Sequence, residues 1–212
     1  MTDSKPDEQY NYSELNESDL EKDPVAQFDK WYLDAQKTDI SFPNAFCLAT
    51  ASSESRPNAR MLLLKGYDSS GFIFYTNSES IKGIELQQNP QACMVFWWEC
   101  LERQVRISGS ISILPEYESD EYFHTRPRGS QIGAWVSRQS KVIESREVLE
   151  RAFDELEDRF RNLDISRPRY WNGYKLRPAS VEFWQGRPNR LHDRLRYVLN
   201  EDMIWNIQRL AP

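Results

Sequence analysis

The sequence predicts a mainly β protein with peripheral α-helices, its strands closed or nearly closed into an antiparallel barrel. Three observations lead there. Five β-prone runs, at 45–50, 58–65, 72–75, 92–98 and 104–114, follow one another through short connections, with a single helix interrupting them. Short connections join antiparallel neighbours, whereas a doubly wound sheet needs a crossover between every pair of strands. No glycine-rich loop lies between a strand and a helix, which removes the dinucleotide fold and the P-loop.

The elements can be justified in order. Residues 1–22 carry seven acidic groups against Lys5 and Lys22, with Tyr10, Tyr12 and Leu20 as the chief apolar groups, which predicts a flexible arm. Asp23-Pro24 reads as a helix start, and Val25, Phe28, Trp31, Tyr32 and Ala35 make an apolar stripe ending near Lys37. From Ala45 the period becomes two, with a polar turn at 52–57 and a second hairpin turn at 66–71. Asn77 or Ser78 is expected to cap the next helix, and Asn89-Pro90 stops it. Two strands follow, linked through residues 99–102.

A short helix is expected over 119–123, ended by Pro127, and a long one over 144–163 with Val148, Ala152, Leu156 and Phe160 toward a sheet. Residues 171–175 and 180–184 read as two extended pieces, 185–190 as a loop, and 195–199 pairs with 203–207. Together, residues 23–212 form one domain behind the arm.

Composition narrows the function classes. A net charge of -6 disfavours a broad nucleic-acid surface, while local basic clusters can still take small anions. Cys47, Cys93 and Cys100 are scattered and odd in number, which fits a reducing compartment and no disulfide framework. No run is long and apolar enough for a membrane span, and no secretory pattern opens the chain, so a cytoplasmic protein is expected. Only His124 and His192 are present, far apart and without a carboxylate cluster, so no metal site is expected. A Ser–His–Asp hydrolase is disfavoured by the absence of GxSxG.

The remaining positive groups are Arg60, Lys65, Lys82, Arg126, Arg190, His192 and Arg194, most of them beside an aromatic, a glycine or a hydroxyl. Guanidinium forks, a lysine point charge and hydroxyl donors suit phosphate monoesters, and separated stations suggest more than one phosphate. If extended, the run from Arg190 through His192 to Arg194 puts all three on one face. A solvated hairpin edge around Arg60–Lys65 and a solvated loop at 185–194 are the alternatives.

Several words in the chain then resemble one family. Arg60-Met61-Leu62-Leu63-Leu64-Lys65, Phe74-Tyr75-Thr76-Asn77, Tyr122-Phe123-His124-Thr125-Arg126-Pro127-Arg128 and Ser130-Gln131-Ile132-Gly133-Ala134-Trp135 are four of them. Glu102-Arg103-Gln104-Val105-Arg106, Glu182-Phe183-Trp184-Gln185-Gly186, Asn189-Arg190-Leu191-His192-Asp193-Arg194 and Arg209-Leu210-Ala211-Pro212 are the rest. In order and spacing they are similar to pyridoxine/pyridoxamine 5'-phosphate oxidase.

The resemblance implies an antiparallel, Greek-key-like split β-barrel that binds flavin mononucleotide (FMN) and works as a homodimer with two shared sites. It implies oxidation of pyridoxamine and pyridoxine 5'-phosphates to pyridoxal 5'-phosphate by oxygen. The implied FMN contacts are Arg60, Met61, Leu62, Leu63, Leu64, Lys65, Tyr75, Thr76, Lys82, Gln104, Gln139, Ser140, Trp184 and Arg194. Lys65, Tyr122, Arg126 and Ser130 match the substrate-phosphate contacts, and Arg190 and His192 the pair over the substrate ring. A flavin-binding barrel without oxidase turnover is the alternative.

Two departures matter. Ile81-Lys82 stands where the family usually has Arg-Lys, which implies looser FMN binding. Tyr10 follows Asp7-Glu8-Gln9 instead of an arginine, so no lid role is carried onto the arm. Trp171-Asn172-Gly173, where two glycines are usual, alters a turn.

Overall fold

The computed structural model describes residues 14–212. Nine strands form one antiparallel sheet that curls into a split barrel: β1 (Ala45–Ala51), β2 (Pro57–Leu63), β3 (Gly66–Asp68), β4 (Gly71–Asn77), β5 (Gln91–Trp98), β6 (Arg103–Ile113), β7 (Trp171–Gln185), β8 (Asp193–Leu199) and β9 (Trp205–Arg209). The main path runs β2-β1-β5-β6-β7-β4-β3, and β8 and β9 extend it from β7. Five helices lie around it: α1 (Pro24–Gln36), α2 (Ile81–Gln88), α3 (Glu116–Thr125), α4 (Arg128–Val136) and α5 (Arg146–Arg159).

The strand that organises the sheet is β7. Where the sequence suggests two extended pieces, the structure has one strand of 15 residues. It pairs with β4 through Trp171–Leu176, with β6 up to Gln185, and with β8 from Ser180. Pro178 does not break it, because the register shifts at Ser108/Gly109 and the partner strand absorbs the irregularity. Gly109 is required there: a Cβ would stand 1.9 Å from the Arg177 carbonyl oxygen.

Aromatic rings fill the barrel. α1 lays Phe28 into it, with ring centroids 4.9 Å from Phe72, 5.1 Å from Phe96 and 5.2 Å from Tyr67. Phe46, Phe74, Phe96 and Phe183 are fully buried. A second, smaller core collects Phe123, Ile132, Ile165 and Trp171 beneath α3, α4 and α5.

Several helix boundaries differ from expectation for identifiable reasons. Ser80, not Asn77 or Ser78, caps α2 by accepting from Gly83 N–H; Asn77 Oδ1 instead accepts from Glu79 N–H at 2.7 Å and makes the turn before it. α3 starts earlier, after Pro115. Pro127 ends α3 but also precedes α4, a helix hidden in the sequence by Gly129 and Gly133. α5 is shorter than expected and packs on α4 rather than on the sheet, with Phe153 and Leu156 against the second core.

Of the acidic arm, residues 1–13, with Tyr10 and Tyr12, lie outside the described residues. Residues 14–22 are docked. Leu15 is 5% exposed, its N–H donates to Asp193 Oδ2 at 3.1 Å, and Tyr197 Oη donates to the Glu21 carbonyl at 2.6 Å. Arg209 holds both Glu17 oxygens at 2.9 Å and also donates to Asp193 and to the Leu15 carbonyl.

Because Phe28 packs among five rings at the centre of the barrel, Phe28→Ala is expected to cost about 3–5 kcal/mol of stability. A fall in the denaturant midpoint at unchanged slope is the result that checks it.

Candidate active site

The first group of site residues assembles where β2 meets the start of α2. Lys82 is 7% exposed, and its Nζ donates to Gln139 Oε1 at 2.7 Å and Ser80 Oγ at 3.2 Å. Thr76 Oγ1 donates to the same Gln139 oxygen at 3.4 Å, and Ser140 Oγ accepts from Ile81 N–H at 3.4 Å. Arg60 comes from β2: Nη1 donates to the Leu48 carbonyl at 3.1 Å and Thr50 Oγ1 at 2.6 Å, and Nη2 lies 3.3 Å from Glu85 Oε2. Burial, with the Arg60 charge nearby, lowers Lys82 to about 8.

A desolvated lysine beside an arginine at a helix N-terminus gains from an anion. Ile81 adds no charge, and its side chain is half exposed. Along β2, Leu64 is buried just past the strand end and Leu62 half-buried, while Met61 and Leu63 face outward. Lys65 has an exposed side chain, and its N–H donates to the Ile73 carbonyl at 2.9 Å.

The second group stands at the start of β7. Tyr75 stacks on Tyr122 with centroids 4.0 Å apart and on Trp171 at 5.1 Å. Burial pushes the Tyr75 phenol up to about 12, so it stays neutral. Arg126 lies 4.6 Å over the Trp171 ring, and burial lowers its pKa. Among the described residues its buried Nη1 has no hydrogen-bond partner, an orphaned donor that suits a phosphate oxygen. Ser130 is exposed in the first turn of α4, which follows Arg126 directly.

The third group stands at the other end of β7. Trp97, Gln104, Trp184 and Arg194 form one cross-strand row through β5, β6, β7 and β8. Arg194 Nε donates to Glu182 Oε1 at 2.8 Å and Nη1 to the Ala211 carbonyl at 2.9 Å. His192 lies 4.5 Å from the Trp184 ring, and its Nδ1 accepts from Arg187 N–H at 3.1 Å. The alternation of Arg190, His192 and Arg194 that an extended segment would give is not formed. β8 begins only at Asp193, and Asn189 and Arg190 both have positive φ, at 59° and 61°. The chain turns there instead of extending, and such strain gathers at functional sites.

The sequence reading missed Thr50, Glu85, Trp97 and Trp171 as members of these groups. A lone hydroxyl or helix carboxylate has no motif, and Trp97 becomes visible only through its register opposite Gln104.

Comparison with known proteins bears directly on these groups. The family described as "Pyridoxamine 5'-phosphate oxidase" matches residues 33–160, and the "Pyridoxine 5'-phosphate oxidase C-terminal dimerisation region" matches 171–212. The chain belongs to the pyridoxamine 5'-phosphate oxidase family. A pyridoxine/pyridoxamine 5'-phosphate oxidase of Salinibacter ruber is 51% identical over 207 residues, covering 97% of this chain and 96% of that protein. One from a Nostoc species is 49% identical over 203 residues, covering 96% of this chain and 95% of that one. Among solved structures, PhzG from Burkholderia lata 383, in complex with tetrahydrophenazine-1-carboxylic acid, superposes with a TM-score of 0.89 at 30% identity. That match covers 96% of this chain and 100% of the other.

Trp171 and Trp184 stand toward opposite ends of β7, roughly 40 Å apart along an extended strand. Gln139 joins Lys82 to Thr76, the chain neighbour of Tyr75 on β4. Among the described residues no cluster of His, Cys, Asp and Glu can hold a metal ion, and no helix is long and apolar enough to cross a membrane.

The Arg187 N–H fixes the His192 tautomer: neutral His192 accepts at Nδ1 and carries its proton on Nε2. Burial and the Arg190 charge lower its pKa from 6.5. Long-range proton–nitrogen correlation spectra should therefore show the Nε2–H form at neutral pH, with a titration midpoint below the ordinary histidine value. Arg190→Ala should raise that midpoint.

Proposed function

We propose that the protein is an FMN-dependent oxidase that converts pyridoxamine 5'-phosphate and pyridoxine 5'-phosphate to pyridoxal 5'-phosphate. Oxygen is the electron acceptor and hydrogen peroxide the product, and the amine substrate also releases ammonia. Relatives near half identity over almost the whole chain support the activity. The single structural observation that supports the site is the separation of its parts: two adjoining anion-seeking groups at one end of β7 and the Trp184–His192 group at the other. A homodimer brings one end of each chain to the other end of its partner and makes two equivalent sites. The matched dimerisation region contains β7, β8 and β9. Outward-facing Met61, Leu63 and Trp97 on β2 and β5, at 64%, 36% and 47% exposure, offer that partner an apolar surface. The three free cysteines fit a cytoplasmic setting.

FMN, when bound, would supply the redox chemistry: hydride acceptance from the substrate C4' carbon and reoxidation by oxygen. The chain supplies charge and position. Arg60 and Lys82 hold the cofactor phosphate, with Thr76, Gln139 and Ser140 around it and no help from Ile81. Met61 to Lys65 and Tyr75 continue the cofactor wall, and Gln104, Trp184 and Arg194 complete it from the partner.

Arg126 takes the substrate phosphate in its guanidinium fork, aided by Lys65, Tyr122 and Ser130. Arg190 and His192 lie against the pyridine ring, His192 as a neutral Nε2–H donor, and fix the angle at which the carbon is presented.

Oxygen consumption with either phosphorylated vitamer, matched by equimolar pyridoxal 5'-phosphate, tests the activity. A yellow protein that consumes no oxygen would refute it. The shared site has its own test. Arg126→Ala and Arg190→Ala chains, each nearly inactive at low substrate, should recover about one quarter of wild-type activity when unfolded and refolded together, since half the dimers then carry one intact site. No recovery would mean that both residues serve the same site from one chain.

The two arginines should also differ kinetically. Arg126→Ala mainly raises KM, because a remote phosphate contact contributes largely uniform binding. Arg190→Ala mainly lowers the limiting rate of flavin reduction in anaerobic stopped flow, because it loosens alignment at the reacting carbon.

A further inference from the structure

Glu85 has a place in the phosphate site that its charge does not predict. It lies one turn beyond Lys82 on α2 and is 7% exposed, so a buried carboxylate stands beside the two cations assigned to an anion. Its contacts explain the arrangement. Oε2 accepts from Thr50 Oγ1 on β1 and from Arg60 Nη2 on β2, and Oε1 accepts from Asn58 Nδ2 on β2 at 3.3 Å. The Thr50 hydroxyl in turn accepts from Arg60 Nη1 at 2.6 Å. One carboxylate therefore links α2 to both strands and fixes two edges of the same guanidinium, Nη2 directly and Nη1 through Thr50.

Its charge has a second effect. The charged groups acting on Lys82 are Arg60, from β2, which disfavours its protonated form, and Glu85, from α2, which favours it. Gln139 and Ser80 are neutral partners. Burial is the largest influence and also disfavours the charge, so Lys82 loses its proton near pH 8. Without Glu85, two cations would face each other in a site mostly closed to water, and Lys82 would give up its proton at still lower pH.

We propose that Glu85 is a positioning residue for the cofactor phosphate: its carboxylate anchors the Arg60 guanidinium across β1, β2 and α2 and keeps Lys82 charged beside it. The proposal rests on the reading of Arg60 and Lys82 as the phosphate pair. It explains why an anion-binding site contains a buried acid. A phosphate dianion can take over the neutralising role once bound, whereas before binding the pair needs its own counter-charge.

The test is titration of the apo-protein with FMN from pH 6 to 9, followed by quenching of flavin fluorescence, with riboflavin as the ligand that lacks the phosphate. In the wild type, FMN affinity is highest between about pH 6, where the phosphate becomes a dianion, and about 8, where half the Lys82 side chains have lost their proton. It falls above that. In Glu85→Gln the fall begins at lower pH and FMN binds about tenfold more weakly at pH 8, while the difference narrows toward pH 6 and riboflavin binding is unchanged. Glu85→Asp, which keeps the charge, restores the wild-type pH of decline.

Tighter FMN binding by Glu85→Gln at every pH would show that the carboxylate merely repels the phosphate and would overturn the proposal. A loss that is independent of pH and shared by riboflavin would reduce Glu85 to a structural role and overturn it equally. The underlying reading fails separately: Lys82→Gln with wild-type FMN affinity would mean that this cluster does not hold the phosphate.

Discussion

Strand β7 is the constraint on which the rest of the molecule depends. It is long enough to border β4 at one end and β8 at the other, with β6 alongside between them. A strand that long has to accommodate Pro178 and the barrel's curvature, and the register shift opposite it at Gly109 does both. The proposed shared site draws on that length, because β7 sets its Trp171 and Trp184 ends apart within one chain.

Two arginines of the candidate site, Arg60 and Arg194, are each held by a buried acid. Arg194 leans on Glu182, which is 6% exposed and also pairs with Arg106 at 3.5 Å. Arg60 leans on Glu85. Arg126 differs: aromatic faces lie against it instead of a carboxylate, and among the described residues one of its nitrogens has no acceptor. Where an acid holds the guanidinium, the side chain is fixed before any ligand arrives. Where rings hold it, the full charge remains for the ligand.

Much of the strand order was legible in the sequence because burial alternates cleanly in β1 and β5, where every second residue is buried. The start of α1 was legible through Asp23-Pro24, whose carboxylate does accept from Val25 N–H. α4 was not, since its glycines and mixed polarity hide a helix that exists through packing on α5. The basic site residues were visible as types out of place, but their partners were not. Glu85 and Glu182 look like ordinary surface acids until the fold closes over them. The loop at 185–190 was legible, but the positive φ of Asn189 and Arg190 within it was not, because neither residue announces it as glycine would.

The docked segment 14–22 has a consequence for the order of folding. Besides Gln27 and Lys30 on α1, its partners are Arg187, Asp193, Tyr197 and Arg209, at separations of 173 to 194 residues. During synthesis it can meet α1 early, whereas contacts of such separation form late. The neighbourhood of Arg190 and His192 is thus finished by a clasp that joins the earliest-made described residues to the latest. Leu15 and Tyr197 both belong to the main core, so the barrel's core is itself finished only when this clasp closes.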